Sequence, residues 1–123
     1  MTERREVLQY LQDIAEMMSH IQSFTAGMDF DAFIKDTKTN FAVFRALEVI
    51  GEAAKQVPDD VRKRHPRIPW KRMAGMRDRL IHGYFGIDFE IVWETASRLI
   101  PELAPKLSAV LEAERSAKEP DEE

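Results

Sequence analysis

The sequence contains no cysteine and only five glycines, and it has no long apolar run. Without cysteine there can be neither disulfides nor thiolate metal ligands. The glycines are scattered, so we expect no glycine-rich phosphate loop. No stretch approaches the roughly 20 apolar residues that span a membrane, and the amphipathic N-terminus does not resemble a signal peptide. We therefore expect a cytoplasmic domain without a membrane segment.

Histidine is also scarce. The three histidines, His20, His65 and His82, lie far apart in the sequence. None has another histidine at the spacing that places two metal ligands on one helix face. We therefore expect neither a metal site nor another cofactor.

One segment of the chain contains almost no acidic residues. The protein has a net charge of −4, but residues 61–82 contain eight arginines and lysines against a single acid, Asp78. A concentrated basic segment in an acidic protein indicates a site for a polyanion such as RNA. A solvated basic helix face would give the same composition, so charge alone leaves both interpretations open.

Strand-like alternation is absent, and apolar residues recur at spacings of three and four, which predicts helices. We expect a first long helix from Thr2, as its cap, to about Thr25. A short helix should follow over residues 29–34, and a second long helix should begin after Asp36 or Thr37 and end at Pro58. The predicted apolar stripes of the two long helices are Val7, Leu11, Ile14, Met18 and Ile21, and Val43, Leu47, Ile50, Ala54 and Val57.

The C-terminal half predicts two more long helices after a helical turn at 59–63. The third should run from residue 69 or 70 to residue 81 or 82, with Gly83 in a left-handed conformation just past its end. The fourth should begin at Asp88 as its cap and be kinked or interrupted by Pro101 and Pro105. The fold class is thus all-α, an antiparallel bundle of about four main helices over residues 1–115, followed by a disordered acidic tail at 116–123.

The third helix carries the residues best suited to chemistry. Histidine is the side chain that most readily transfers protons near neutral pH. Arginine binds phosphate through a planar fork of donors and stabilises developing negative charge. Arg77 and His82 therefore match the needs of RNA cleavage without a metal, and Lys71, Arg72 and Arg79 are candidates for binding RNA phosphates. A histidine that only caps a helix end would be equally compatible with these residues.

The order of the residues is more specific than their types. Arg77, followed after four residues by His82 and after one more by Tyr84, resembles the signature of the HepT-like toxins of the HEPN superfamily, the higher eukaryote and prokaryote nucleotide-binding domains. Residues 45–53 resemble the second-helix signature of that family, and segments between 68 and 101 are similar to those around its active helix. The resemblance covers about residues 5–110.

The resemblance implies a dimeric helical bundle that acts as a metal-independent endoribonuclease toxin. Arg77 and His82 would be the catalytic pair. Tyr84 would be the residue that a cognate antitoxin, a minimal nucleotidyltransferase of the MntA type, modifies with AMP. The alternative is a non-catalytic module of the same fold that only binds a nucleotide or that partner. The sequence does not identify the RNA target.

Two features near the motif stay open. Arg45, Glu48 and Glu52 share one helix face. We expect them to form a surface salt-bridge stripe, with the alternative that they orient Arg77 or Arg79. Asp78 matches a polar position of related domains, but its charge beside a phosphate site has no assigned role.

Overall fold

The computed structural model describes residues 2–83 and 86–117, which form an almost entirely helical fold. The N-terminal elements are α1 (Thr2–Thr25), α2 (Phe30–Lys35), α3 (Thr37–Gln56), α4 (Asp59–Arg64), α5 (Trp70–Ala74) and α6 (Met76–Leu80). They are followed by strands β1 (Ile81–His82) and β2 (Gly86–Ile87), then by α7 (Phe89–Glu94), a π-helical turn (Thr95–Leu99) and α8 (Ile100–Ser116). The predicted all-α class is confirmed. Of the predicted tail, residues 118–123 lie outside the described part, so the domain boundary stays a prediction.

The core forms around α1, which packs against both α3 and α8. Every residue of the two predicted apolar stripes is buried, because spacings of three and four place side chains on one helix face. Asp29 and Asp36 cap α2 and α3 by accepting backbone N–H bonds. Thr2 is already a helical residue of α1. The helix therefore begins one residue earlier than expected, because an N-cap residue precedes the first helical residue.

The predicted third long helix is wrong, because the segment is broken twice. Gly75 separates α5 from α6 with φ −91° and ψ 11°, outside the helical region. The helix then ends at Leu80, and Ile81 adopts an extended conformation at φ −114° and ψ 124°. His82 consequently lies on a short strand rather than at a helix end.

The chain reverses direction directly after His82. β1 and β2 pair antiparallel, with Ile81 opposite Ile87 and His82 opposite Gly86. Gly83 and Gly86 both have positive φ, 42° and 83°, which glycine adopts without the steric cost that other residues meet. The expected left-handed Gly83 is therefore confirmed, but it serves a hairpin instead of ending a helix.

The fourth long helix is one continuous helical run from α7 to α8 with a widened turn in it. Asp88 caps α7, as expected. In the π-helical turn, Ile100 donates its backbone N–H to Thr95. Pro101, which lacks an N–H and crowds the preceding turn, follows directly and accounts for the widening. Pro105 does not interrupt the run, because it lies within α8.

Gly51 allows the α5–α6 segment to pack close against α3. A Cβ atom at this position would be 3.1 Å from the carbonyl oxygen of Met73 and 3.5 Å from Cβ of Met76. The first distance is shorter than ordinary van der Waals contact, so a larger residue would push the α5–α6 segment away. This close approach brings Arg77, the residue after Met76, against α3.

A buried ion cluster ties both ends of the chain to α4. The side chain of Glu114 on α8 is only 3% exposed, and it accepts hydrogen bonds from Arg4 at 2.8 Å and from Arg64 at 2.9 Å. Nε2 of His65 lies 2.7 Å from its second oxygen. The hydrogen bond from Arg64, and after it those from His65 and Arg4, lower the pKa of Glu114 to about 2, although burial opposes this shift.

Candidate active site

His82 is exposed and faces a carboxylate. Its Nδ1 atom lies 3.5 Å from Oδ2 of Asp88, and its side chain is 55% exposed. Asp88 is itself fixed, because its Oδ1 accepts the backbone N–H groups of Glu90 and Ile91, each at 3.1 Å. The hairpin brings the two residues together, and the backbone N–H of Asp88 donates to Leu80 at 2.8 Å. One imidazole nitrogen thus lies beside the N-cap residue of α7.

An open groove of about 530 Å³ lies beside His82. Phe30 and Ile34 of α2 form one side, and Phe89 of α7 contributes to the other. The ring of Phe89 is held edge-on by Phe41, at a centroid distance of 5.6 Å. The groove therefore combines apolar walls with the imidazole of His82 and the carboxylates of Asp88 and Glu90.

Arg77 lies in a different environment, over α3. Its Nε atom is 3.3 Å from Oε2 of Glu48, and its side chain is 65% exposed. The other oxygen of Glu48 lies 3.5 Å from Arg45, which also pairs with Glu52 at 3.3 Å. The predicted salt-bridge stripe is therefore present. Glu48 also contacts Nε of Arg77, which is the contact that the alternative, orientation of Arg77, requires.

The remaining phosphate-binding candidates divide between two places. Arg72 and Arg79 line one cleft together with Arg98, which the sequence did not mark as a candidate. Lys71 is exposed on α5 and does not line this cleft. His82 and Arg77 do not line it either. The structure thus separates the arginine cleft from the groove at His82.

Part of the basic segment has a structural role. Arg62 donates to the carbonyl oxygens of Val57 at 3.0 Å and Ala54 at 2.7 Å, which satisfies the C-terminus of α3. Arg64 pairs with Glu114 and Asp60. The charge pattern therefore indicated more RNA-binding residues than the fold leaves available.

Four further expectations concern two site residues, metal binding and membrane spans. Tyr84 lies outside the described residues. Asp78 is exposed on α6, and nothing in the described structure explains it. Within residues 2–83 and 86–117, no group of three or more histidine, aspartate or glutamate side chains is placed to hold a metal ion. The same residues contain no helix that is both long and apolar enough to cross a bilayer.

Comparison with known proteins places these residues in a family. The model of the family "Ribonuclease HepT-like" matches residues 14–110. The chain is 50% identical over 103 residues to a protein named probable ribonuclease HepT from Thermococcus cleftensis, covering 84% of this chain and 94% of that protein. The chain belongs to the HepT-like ribonuclease family.

Two other relatives of the HepT-like chain carry similar names. A putative RNase of Methanocaldococcus jannaschii is 46% identical over 108 residues, covering 88% of this chain and 89% of that protein. A putative RNase of Caldanaerobacter subterraneus subsp. tengcongensis is 42% identical over 106 residues, covering 86% of this chain and 95% of that protein. No solved structure matches the chain.

Two contacts of this HepT-like site were not predicted from the sequence. Asp88 was expected only as a helix cap, although the glycines at 83 and 86 signalled a chain reversal that returns it to His82. Gly51 was part of the resemblance, but its close contact with Met73 depends on how α5 packs.

Proposed function

We propose that this chain is a metal-independent endoribonuclease that cleaves RNA by attack of a 2′-hydroxyl on its own phosphate. The observation that carries the proposal is the exposed His82, whose Nδ1 lies 3.5 Å from Asp88. An ionised carboxylate only accepts hydrogen bonds, so the neutral ring keeps its proton on Nδ1 and offers Nε2 as a base. The relatives are named probable ribonuclease HepT and putative RNase, which favours RNA as substrate.

In the proposed reaction, Nε2 of His82 takes the proton of the 2′-hydroxyl while the 2′-oxygen bonds to phosphorus. The bond from phosphorus to the 5′-oxygen breaks, and that oxygen takes a proton from a general acid. The products are a 2′,3′-cyclic phosphate and a 5′-hydroxyl. Arg77 stabilises the charge on the phosphate through the Nη groups that its contact with Glu48 leaves available.

A second protomer would supply the general acid. Each chain offers one motif histidine, whereas the reaction needs both a base and an acid. Apolar side chains near the groove support a homodimer: Phe30, Ile34 and Phe41 are 36%, 38% and 51% exposed. Exposed apolar patches of this kind commonly mark protein–protein contacts. A two-fold dimer would bring two copies of His82 and of Arg77 to one groove.

Mixed dimers test the shared site. Differently tagged chains are purified as dimers with one His82→Ala subunit and one intact subunit. If both histidines act on one phosphate, activity should fall close to that of the double mutant. Half of the wild-type activity would mean independent sites and would reject sharing.

We further propose that the chain is the toxin of a toxin–antitoxin pair and acts in the cytoplasm on cellular RNA. Its partner would be a nucleotidyltransferase of the MntA type that transfers AMP to Tyr84. Tyr84 is two residues from His82, so an AMP group would add bulk and negative charge where RNA must bind. The family resemblance of the Arg77–Tyr84 motif supports this proposal.

Growth of cells that express the chain without a partner tests the activity. We expect expression to stop growth, His82→Ala to restore it, and His20→Ala to leave the toxicity intact. His20 is a suitable control because it is an exposed histidine on α1, stacked on Phe24. Normal growth with the intact chain at the same expression level would favour the non-catalytic binding module.

A further inference from the structure

The cleft that contains Arg72 and Arg79 has a volume of about 270 Å³ and lies apart from the groove at His82. Arg72 of α5 and Arg79 of α6 form one wall. The opposite wall is a face of the α7–α8 run, whose π-helical turn contributes Thr95 and Arg98. Three arginines from three separate elements therefore converge on one concave surface.

Each of the two glutamates that line this cleft forms an ion pair, and neither pairs with Arg72 or Arg79. Glu94 pairs with Arg98 at 3.8 Å, and Glu102 pairs with Lys106 at 3.8 Å. Within residues 2–83 and 86–117, neither Arg72 nor Arg79 has a carboxylate within 4 Å. The cleft thus carries three arginines against two carboxylates, and Arg72 and Arg79 form no ion pair with a described residue.

These two arginines also have no structural role of the kind seen elsewhere in the basic segment. Arg62 closes the end of α3, and Arg64 neutralises a buried glutamate, whereas Arg72 and Arg79 are exposed. A planar guanidinium with free donors is the side chain best matched to phosphate oxygens. The cleft therefore has the chemistry of an anion site.

We propose that this cleft binds a phosphate of the RNA chain other than the one that is cleaved. The inference rests on the proposed ribonuclease function. Arg77 on α6 pairs with Glu48 of α3, whereas Arg79 on the same helix faces the α7–α8 run. One RNA strand can occupy both sides of α6 only if different phosphates contact the two arginines. Because the contacts are to phosphate, the cleft strengthens binding without selecting a sequence.

Binding is measured with the His82→Ala protein, which leaves the RNA intact, and a fluorescent single-stranded RNA at several salt concentrations. Combining it with Arg72→Ala and Arg79→Ala should weaken binding about tenfold or more. The slope of log affinity against log salt should become shallower by about 0.7 for each phosphate that the variant no longer binds. Arg5→Ala with Lys55→Ala, which removes the same charge from exposed positions on α1 and α3, should leave the slope unchanged.

Kinetics with intact His82 separate binding from chemistry. We expect the Arg72→Ala, Arg79→Ala enzyme to show a raised KM and a kcat within about twofold of wild type, because the cleft does not contact the reacting phosphate. Wild-type affinity and slope in the variant, an equal decrease in the control pair, or a decrease of kcat at unchanged KM would each overturn the proposal. If the Arg72→Ala, Arg79→Ala variant keeps RNA binding but no longer binds a nucleotidyltransferase partner, the cleft is a protein-docking surface and the proposal is also overturned. If the wild type cleaves no RNA, the ribonuclease proposal fails, while the binding assay still tests the cleft.

Discussion

Asp88 contacts His82 with one carboxylate oxygen and begins α7 with the other. Oδ2 lies 3.5 Å from Nδ1 of His82, while Oδ1 accepts the backbone N–H groups of Glu90 and Ile91 at 3.1 Å. The position of the imidazole is therefore coupled to the start of a helix that packs on the core. We therefore expect Asp88 to act through His82, as a positioning residue.

Replacing Asp88 with asparagine should impair catalysis without unfolding the protein. The asparagine oxygen can still cap α7, which places its NH₂ group toward His82. That group donates to Nδ1 and drives the ring proton to Nε2, where the base is needed. We expect kcat to fall at least about tenfold, as in a catalytic triad whose aspartate is replaced.

The matched control for this variant is Asp36→Asn. Asp36 caps α3 by accepting the backbone N–H of Thr39 at 3.0 Å. Asp36→Asn should keep the wild-type kcat and should change the unfolding midpoint by about the same small amount as Asp88→Asn. Wild-type kcat in Asp88→Asn would contradict the positioning role.

Glu48→Gln should lower cleavage by releasing Arg77. The glutamine keeps the shape of Glu48 but loses the charge that holds Nε of Arg77 at 3.3 Å. A misplaced phosphate ligand lowers the rate without removing it, so we expect a decrease in kcat/KM of about 3- to 10-fold. Glu52→Gln is the control, since Glu52 is 64% exposed and pairs only with Arg45 among the described residues. An equal effect of the two variants would indicate a general loss of surface charge.

Glu114→Gln should destabilise the fold. The side chain of Glu114 is only 3% exposed, and the substitution removes the negative charge that Arg4, Arg64 and His65 share. Breaking a buried ion pair costs about 3–5 kcal/mol, which chemical denaturation would detect. Glu112→Gln, on the exposed face of α8, should change the free energy of unfolding by less than about 0.5 kcal/mol.

The same cluster predicts how stability depends on pH. The pKa of Glu114 is about 2 in the folded protein, below its ordinary value of 4.5. A lowered folded-state pKa contributes stability that is present above pH 4.5 and lost as the pH falls toward 2. This difference corresponds to about 3 kcal/mol. The wild type should lose this stability between these pH values, and Glu114→Gln should not show that part of the loss.

Tyr84→Phe should separate activity from regulation. The variant lacks the hydroxyl that would receive AMP but keeps the ring, so RNA cleavage should stay near the wild-type rate. In cells it should escape neutralisation by a nucleotidyltransferase partner that silences the wild type. Mass spectrometry should find the added AMP on Tyr84 in the wild type. Adenylate on another residue, with Tyr84 unmodified, would refute this prediction.

The buried stripes of α1 and α3 could be predicted because burial in helices follows directly from residue spacing. Asp36, Asp88 and Pro58 marked helix boundaries correctly because caps and prolines act locally. Local rules therefore predicted the parts of the fold that local physics determines.

The region around His82 required information that the local pattern does not carry. Residues 76–82 have helical periodicity, but the pairing of β1 with β2 favours an extended Ile81. The Glu114 cluster joins residues separated by 110 and 50 positions, so no local pattern could indicate it. Of the basic segment, only packing shows that Arg62 and Arg64 are structural whereas Arg72 and Arg79 line a cleft.

The most direct test of the account is cleavage of RNA by the purified protein in EDTA, with analysis of the ends produced. The account predicts full activity in chelator, 2′,3′-cyclic phosphate ends, and a rate lower by about 10²–10⁴ in His82→Ala. Activity that disappears in EDTA and returns with magnesium, or His82→Ala protein that cleaves at the wild-type rate, would contradict it.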